Sequence, residues 1–201
     1  MKSYARVVVI GGGVVGVSTL YHLARKGWSD VVLVERKELT SGSTWHAAGL
    51  LPLFNMSYSV GQIHKYSVKF YQELQEETGM DVGFRNVSNI RLASNQDRMD
   101  EFRQYAGVAS TIGVKVDFLT PEQVLDYWPM ANIEGLVGAI RHPQDGYIQP
   151  ADLTQALARG ARDRGAEIYR NTAVAAITRS DDGLWIVSTD KGDITCEHVV
   201  S

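Results

Sequence analysis

Three glycines near the start of the chain have the spacing of a phosphate-binding turn. Gly11, Gly13 and Gly16 form the pattern G-x-G-x-x-G, between a strand-like run and a helix-like one. In that context the first glycine permits a tight turn, the second lets a pyrophosphate approach the backbone, and the third lets the helix pack closely on the strand. The N–H groups and positive dipole of a helix N-terminus attract phosphate. The pattern therefore predicts a dinucleotide site.

A carboxylate follows at the distance that such sites require. Glu35 comes directly after a second strand-like run, about 20 residues beyond Gly16. There it can accept hydrogen bonds from a ribose 2′-OH, and it would repel a 2′-phosphate. NAD and FAD share the same adenosine diphosphate half, so the glycines and Glu35 leave both cofactors open. The alternative is a turn without a ligand and a solvated Glu35.

The segment 42–50, with the sequence GSTWHAAGL, surrounds one histidine and one tryptophan with small residues. The small side chains let a large flat ligand approach the backbone, and the hydroxyl groups can donate to phosphate or ribityl oxygens, which favours a bulky cofactor. A lone histidine is more often structural than functional, so position alone gives His46 no direct role. Trp45 either flanks the ligand or belongs to the core.

The elements that must position these residues can be predicted from the first 35 positions. Residues 5–10 form a β-branched run that is typical of a strand buried in a parallel sheet. A helical pattern begins at Val14 and ends at Gly27, and Val31–Val34 is a second buried strand. This order predicts a parallel, right-handed βαβ unit.

The middle of the chain alternates between helices and strands. Apolar periodicity predicts helices over 60–78 and 95–112, a strand over Asn89–Ala93 and an edge strand over 114–119. The sequence TPEQ, which starts at Thr120, is a capping-box pattern that begins another helix.

The last third predicts a helix followed by a β-meander. The helix runs from Pro150 to Gly165, and three strands follow over 166–180, 183–190 and 193–200. The complete order of elements indicates an α/β fold, in which a nucleotide-binding domain is interrupted by a smaller α+β domain.

Composition favours small-molecule chemistry. Twenty basic residues against 23 acidic ones give a net charge of −3 without a basic block, which argues against a nucleic-acid or anionic-membrane partner. The single Cys196 cannot build a disulfide framework, and no apolar run is long enough to span a membrane, so we expect a cytoplasmic protein. His22 is expected to pack on its helix, and His64, His142 and His198 lack a second ligand at metal spacing, which predicts no metal site.

Several quoted stretches carry a family resemblance. GSTWHAAGL, EETGMDVGFRNVSNIRLAS, LTPEQVLDYWP and GAIRHPQDGYIQPADLTQALARGARDRGAEI resemble, in order and spacing, the dimethylglycine dehydrogenase and sarcosine dehydrogenase family within the glycine/D-amino-acid oxidase superfamily. The resemblance covers the whole chain. It implies a Rossmann-type FAD-binding domain, with a glutathione-reductase-like βαβ unit and meander, over 1–83 and 146–201, and part of a substrate-binding domain over 84–145.

The resemblance also implies roles for individual residues. In the family, the histidine of T-W-H-A-A-G is bonded covalently to the 8α-methyl carbon of FAD, and here that residue is His46. The backbone at Val14 and Val15 is expected to face the pyrophosphate, and Glu35 with Arg36 the adenosine ribose. The flavin and ribityl chain are expected along Gly42, Ser43, Thr44, Trp45, His46, Ala47, Ala48, Gly49 and Leu50. The main chain of Val174 is expected to recognise adenine.

The implied reaction is the oxidation of an N-methylated amine such as dimethylglycine or sarcosine. The resemblance leaves the electron acceptor open between electron-transfer flavoprotein and oxygen, and tetrahydrofolate is a partner of a further C-terminal region. Family members continue beyond the position of Ser201 with an Asn-Ala-Ala-Gly-x-Trp segment, so we expect the chain to be an incomplete FAD domain and predict no catalytic residue within it. The alternatives are a non-catalytic regulatory subunit of the same family and an NAD-dependent dehydrogenase.

Overall fold

The computed structural model describes residues 1–53 and 55–201, which divide into two units. The first unit comprises Met1–Ala48, Glu73–Gly83 and Gln149–Ser201, and the second comprises Gly49–Gln72 and Phe84–Ile148. Residues 49–72 and 146–148 thus belong to the second unit, whereas the predicted first domain includes them.

Two contacts explain why these segments belong to the second unit. Strand β3 (Leu50–Leu51) pairs antiparallel with β8 (Gly146–Tyr147). Helix α2 (Tyr58–Thr78) packs near its start against Ile112, because a Cβ atom on Gly61 would lie only 2.4 Å from the Cδ1 atom of Ile112. Both contacts join residues that are distant in sequence, so local patterns do not reveal them.

The first unit is built on one mixed sheet. Its described strands, in spatial order, are β10 (Val174–Arg179), β11 (Trp185–Thr189), β12 (Gly192–Val200), β1 (Tyr4–Ile10), β2 (Val31–Val34) and β9 (Glu167–Tyr169). β1 runs parallel to β2, with Val7 opposite Val31, and also parallel to β12. The predicted parallel βαβ unit is confirmed, and all four residues of β2 are buried, as a central parallel strand requires.

Two helices of the first unit pack against each other. Helix α1 (Val14–Arg25) ends before Gly27, whose φ of 82° is the left-handed conformation that stops a helix. Helix α5 (Pro150–Arg162) begins with proline at its first turn, as predicted. A Cβ atom on Gly160 would lie 2.7 Å from the ring of Tyr21, so this glycine allows the close contact between the two helices.

The predicted three-stranded meander is wrong at its first strand. The run 166–180 forms two strands, because Asn171 has a φ of 51° and breaks the extended backbone between them. β9 pairs parallel with β2, and only β10 joins β11 and β12 in an antiparallel meander.

The second unit contains two small antiparallel sheets. One has the order β5 (Asn89–Ala93), β7 (Gly138–His142) and β6 (Asp117–Leu119), and the other the order β3, β8 and β4 (Arg85–Asn86). Helix α3 (Gln96–Thr111) packs its aromatic residues into a core with Ile140 of β7. The capping box at Thr120 is present at the start of α4 (Pro121–Val124). β6 lies at a sheet edge as predicted, whereas the strand at β7 was not predicted.

Helix α2 is the longest helix of the described residues. No helix in this part of the chain combines the length and apolar character needed to cross a membrane.

Candidate functional site

The glycine turn joins β1 to α1. Gly11 has a φ of 108°, which favours glycine, and its N–H donates to the carbonyl of Val34 at 2.9 Å. Gly13 is extended and precedes α1 without a side-chain cap. A Cβ atom on Gly16 would lie 2.1 Å from the carbonyl oxygen of Gly11. The helix therefore packs directly on the turn, which is the physical role that the third glycine of the pattern predicts.

An open cleft of about 380 Å³ lies at the carboxyl ends of β1 and β2. Ten of the predicted residues line it: Gly11, Gly13, Val14, Val15, Gly16, Glu35, Arg36, Gly42, Ser43 and Thr44. α1 leads from β1 to β2 on one side, while β12 pairs with β1 on the other. Ligands of open α/β sheets bind at such a point, where the strand order changes direction.

Sequence patterns missed some residues that line the cleft. They are Val9, Ile10, Gly12, Thr19, Lys37, Ser41, Val200 and Ser201. Val200 lies opposite Val9 in the sheet, so the two ends of the chain meet there. Gly12 is tightly enclosed, because a Cβ atom on it would lie 2.8 Å from Cγ of Glu35. The run of three glycines was the available signal for Gly12, but local patterns could not reveal Val200.

The carboxylate of Glu35 is fixed by two backbone groups. The N–H of Gly12 donates to Oε2 at 2.7 Å, and the N–H of Lys37 donates to Oε1 at 2.7 Å. A carboxylate has about four acceptor positions, so both oxygens keep further capacity for hydroxyl donors. Because Glu35 also lines the cleft, it can receive the hydroxyl groups of a ribose there.

The segment after β2 returns to the glycine turn. Thr40 has a φ of 72°, and its N–H donates to the carbonyl of Gly12 at 3.0 Å. Residues Ser43–His46 then form one turn of 3₁₀ helix. Thr44 is buried, and its Oγ1 accepts a hydrogen bond from the N–H of Val14 at 2.9 Å. The hydroxyl of Thr44 thus connects this turn to the first residue of α1.

Other predicted residues lie outside the lining of the cleft. Trp45, His46, Ala47 and Ala48 are exposed. Since the side chain of Trp45 is 71% exposed, the core alternative for this residue is wrong.

Three further predicted residues also lie outside the cleft lining, in other parts of the structure. Gly49 and Leu50 belong to the second unit. Val174 is half-buried at the start of β10, where the pairing with β11 is irregular.

His22 and Cys196 have structural surroundings. His22 lies on α1, with Nδ1 at 2.8 Å from the carbonyl oxygen of Ser18, and its ring contacts Tyr21 edge-on. Cys196 is buried in β12, and burial raises the pKa of its thiol. Among residues 1–53 and 55–201, no three His, Cys, Asp or Glu side chains are grouped so that they could hold a metal ion.

The second unit contains two buried titratable groups with opposite pKa shifts. Burial, with a smaller contribution from the charge of Arg91, lowers the pKa of His142 to about 4. Burial raises the pKa of Asp145 to about 6, although its Oδ1 accepts a hydrogen bond from the N–H of Leu53 at 2.9 Å. Tyr105 is adjacent, with its ring centroid 5.4 Å from that of His142. Sequence patterns indicated only a turn at Asp145 and Gly146, not a buried carboxylate.

Comparisons with known proteins bear on the family and the fold of the chain. Residues 6–201 match the family model DAO, FAD dependent oxidoreductase. L-proline dehydrogenase from P. horikoshii has a similar structure, with a TM-score of 0.91 and 26% identity over 99% of this chain and 52% of that one.

Three curated relatives match the whole chain. Mitochondrial dimethylglycine dehydrogenase of Rattus norvegicus is 40% identical over 200 residues, which are 100% of this chain and 23% of the relative. Mitochondrial sarcosine dehydrogenase of Homo sapiens is 37% identical over 100% of this chain and 22% of its own length. The mitochondrial pyruvate dehydrogenase phosphatase regulatory subunit of Mus musculus is 35% identical over 100% of this chain and 23% of its own length.

The chain thus spans about a quarter of the length of these relatives. Its glycine turn and the carboxylate after β2 lie within the residues that match the FAD dependent oxidoreductase model. The chain belongs to the DAO family of FAD-dependent oxidoreductases, in which dimethylglycine dehydrogenase and sarcosine dehydrogenase are among its relatives.

Proposed function

We propose that the full-length protein oxidises N-methylated amines such as dimethylglycine or sarcosine, with FAD bound in the cleft of the first unit and linked covalently to His46. The observation that carries this proposal is the carboxylate of Glu35, fixed by the N–H groups of Gly12 and Lys37 beside the glycine turn. This arrangement supports recognition of the adenosine ribose of a dinucleotide.

The cleft fits the phosphates of FAD. The first N–H groups of a helix have no acceptor within the helix, so the start of α1 offers donors and a positive dipole. The absence of a side chain at Gly13 leaves room, since a Cβ atom there would meet only Oγ1 of Thr44, at 3.1 Å. Arg36, Gly42 and Ser43 line the same cleft and complete its polar wall. Val174 is proposed to contact adenine through its main chain.

The proposed covalent bond between FAD and His46 is supported by the short turn that contains His46. The imidazole is exposed, and an imidazole in its neutral form is a nucleophile. When bound, FAD would accept the two electrons that amine oxidation releases. It would also accept the two electrons released by the covalent attachment, in which a C–N bond replaces one imidazole N–H and one methyl C–H. Ala47 and Ala48 are small, so the backbone beside His46 is accessible to a flat ring.

The substrate class is supported by relatives named for dimethylglycine and sarcosine. Oxidation of such an amine gives an iminium product, which hydrolyses or passes its one-carbon unit to tetrahydrofolate. We assign the first unit to FAD and the second to part of the substrate domain. The electron acceptor, electron-transfer flavoprotein or oxygen, and the cytoplasmic location remain predictions from the sequence.

A non-catalytic role is the second candidate. The 35% identity with the phosphatase regulatory subunit favours it. The histidine within TWHAAG favours the enzyme, because a flavin attachment point serves redox chemistry.

Anaerobic mixing of the purified full-length protein with a panel of methylated amines separates the two candidates. Bleaching of the flavin by dimethylglycine or sarcosine supports the enzyme. A flavin that stays oxidised with the entire panel, although dithionite reduces it, contradicts the enzyme.

Glu35→Gln tests the proposed ribose contact, since the amide keeps the size of the side chain but loses its charge. We expect a Kd for FAD that is about 10-fold to 100-fold higher, because a hydrogen bond to a charged group contributes about 1.5–3 kcal/mol. Asp193→Asn, on β12 and outside the cleft lining, is a matched control. Equal Kd values for Glu35→Gln and wild type would contradict the contact.

A further inference from the structure

We infer that Thr44 is a positioning residue whose hydroxyl fixes the turn Ser43–His46 onto the start of α1, and that the link between His46 and the flavin depends on it. The inference rests on the proposed function, because it concerns how the attachment point is held near the cofactor. It assigns Thr44 a role in addition to contact with the ligand.

The first observation is the contrast in burial within the turn. Thr44 is 6% exposed, whereas Ser43, Trp45 and His46 are all exposed. The buried Oγ1 of Thr44 accepts from the N–H of Val14 at 2.9 Å. Among these four residues Thr44 is the buried one, and its side chain attaches the turn to the rest of the first unit.

The second observation is that α1 lacks a cap of its own. Gly13 occupies the N-cap position and has no side chain to accept from the first amides of the helix. The N–H of Val14 has no acceptor within the helix, and Thr44 supplies one from a position 30 residues along the chain. Gly13 leaves room for phosphate but supplies no side-chain acceptor, and for the N–H of Val14 the acceptor comes from Thr44.

The third observation connects Thr44 to His46. The N–H of Trp45 donates to the carbonyl of Gly42 at 3.2 Å, and the N–H of Ala47 donates to the carbonyl of Thr44 at 3.2 Å. These bonds close one short turn around His46, so its backbone moves with Thr44. The N–H of Thr40 also donates a hydrogen bond, to the carbonyl of Gly12. Exposed residues separate Thr40 from this turn, so that hydrogen bond cannot replace the one at Thr44.

Loss of the hydroxyl should therefore slow the covalent attachment of FAD more than it weakens FAD binding. Glu35 and the remaining amides of α1 still hold the cofactor, but the imidazole is no longer fixed near the reacting carbon. A displacement of about 1 Å can slow a positioned reaction about 100-fold. We expect the rate of covalent attachment, measured at saturating FAD, to fall at least about tenfold.

The experiment mixes full-length, FAD-free protein with FAD and follows two quantities. Total bound flavin is measured by absorbance after gel filtration, and attached flavin by fluorescence of the acid-precipitated, washed protein. Thr44→Val should bind FAD but attach it at least about tenfold more slowly, whereas Thr44→Ser, which keeps an acceptor oxygen, should attach it within about threefold of the wild-type rate. Thr78→Val is the matched control, because Thr78 is also buried and hydrogen-bonded but lies outside the cleft lining.

A second variant removes the donor of the same bond. Val14→Pro lacks the N–H, and proline suits the first position of a helix. Gly13, with φ −76° and ψ 173°, already has a conformation that can precede proline. We expect Val14→Pro to slow attachment as Thr44→Val does, and the double variant to be no slower than either single one. This variant tests the bond even if Thr44→Val does not fold.

Amide exchange in the FAD-free protein separates this inference from the proposed function. Thr44→Val should speed exchange at Val14 and Ala47 relative to wild type and to Thr44→Ser. Attachment at the wild-type rate in Thr44→Val, no rescue by Thr44→Ser, or unchanged exchange would each overturn the inference. If the wild-type protein attaches no flavin, the proposed attachment fails, and the exchange rates alone decide whether Thr44 fixes the turn.

Discussion

The glycine turn and the attachment turn are both rich in small residues, but for different physical reasons. In the glycine turn, a Cβ atom on Gly12 or Gly16 would overlap protein atoms, at 2.7 Å and 2.1 Å. In the attachment turn, Gly42 has no atom within 4 Å of an added Cβ atom. The fold itself therefore requires the first set of glycines, whereas the small residue at position 42 points to a requirement from outside the chain.

The largest expected effect comes from testing that contrast directly. Gly16→Ala should destabilise the first unit by about 3 kcal/mol, because its methyl group overlaps the carbonyl of Gly11 and the helix must move. Gly42→Ala should leave the unfolding free energy within about 0.5 kcal/mol of wild type. Denaturant unfolding followed by circular dichroism measures both. If the two variants are equally stable, the contrast between the turns is wrong.

Gly13→Val should have an intermediate effect, on the ligand rather than the fold. The backbone at Gly13 is extended, and an added Cβ atom meets only Oγ1 of Thr44, so the protein should stay folded. The side chain would project where the phosphates approach, and a penalty of about 3 kcal/mol raises the Kd for FAD about 100-fold. Titration with FAD, with circular dichroism as the folding control, measures this. Tight FAD binding by a folded variant would exclude phosphate from this position.

The smallest effect on stability is expected at His46. Because its side chain is exposed, His46→Ala should change the unfolding free energy by less than about 0.5 kcal/mol. The variant should keep FAD that is lost on acid precipitation, whereas the wild-type pellet should stay yellow. His198→Ala, on β12, controls for the loss of an imidazole. A coloured His46→Ala pellet would place the attachment on another residue.

Local patterns predicted the part of the fold in which neighbours in sequence are neighbours in space. The βαβ unit follows from two apolar runs and three glycines, and the cap at Thr120 from four consecutive residues. The strand β7 was missed because its partners β5 and β6 come from separate segments, and its short run starts at a glycine. β9 was misassigned because a positive φ at Asn171 has no strong signal in the sequence.

The candidate site likewise contains some residues that local sequence patterns predict and others that they do not. Gly11, Gly13 and Glu35 belong to one local motif, and the structure brings them to one cleft. Val200 and Ser201 line that cleft only because β12 pairs with β1 from the opposite end of the chain. The hydrogen bond between Thr44 and Val14 was not predictable, because it depends on the path of residues 36–43 after β2.

The opposed pKa shifts of His142 and Asp145 have a consequence for acid tolerance. His142 titrates near pH 4 when folded and near 6.5 when unfolded, so it destabilises the second unit as the pH falls through that window. Asp145 holds its proton up to about pH 6 when folded but only to about 3.8 when unfolded, so it stabilises the unit over nearly the same window. Each shift of about two pKa units corresponds to about 3 kcal/mol.

The two pH-dependent contributions to stability have opposite signs, so together this pair adds little to the pH dependence of the unfolding free energy between about pH 4 and 6. Arg91 and His64 also act electrostatically on this pair, and Asp145 in turn acts on Tyr105. Asp145→Asn removes the contribution of Asp145 to this pH dependence. The free energy of amide protection in β7 should therefore fall on acidification by about 3 kcal/mol more than in the wild-type protein. Proton binding at one member of the buried pair thus offsets proton binding at the other.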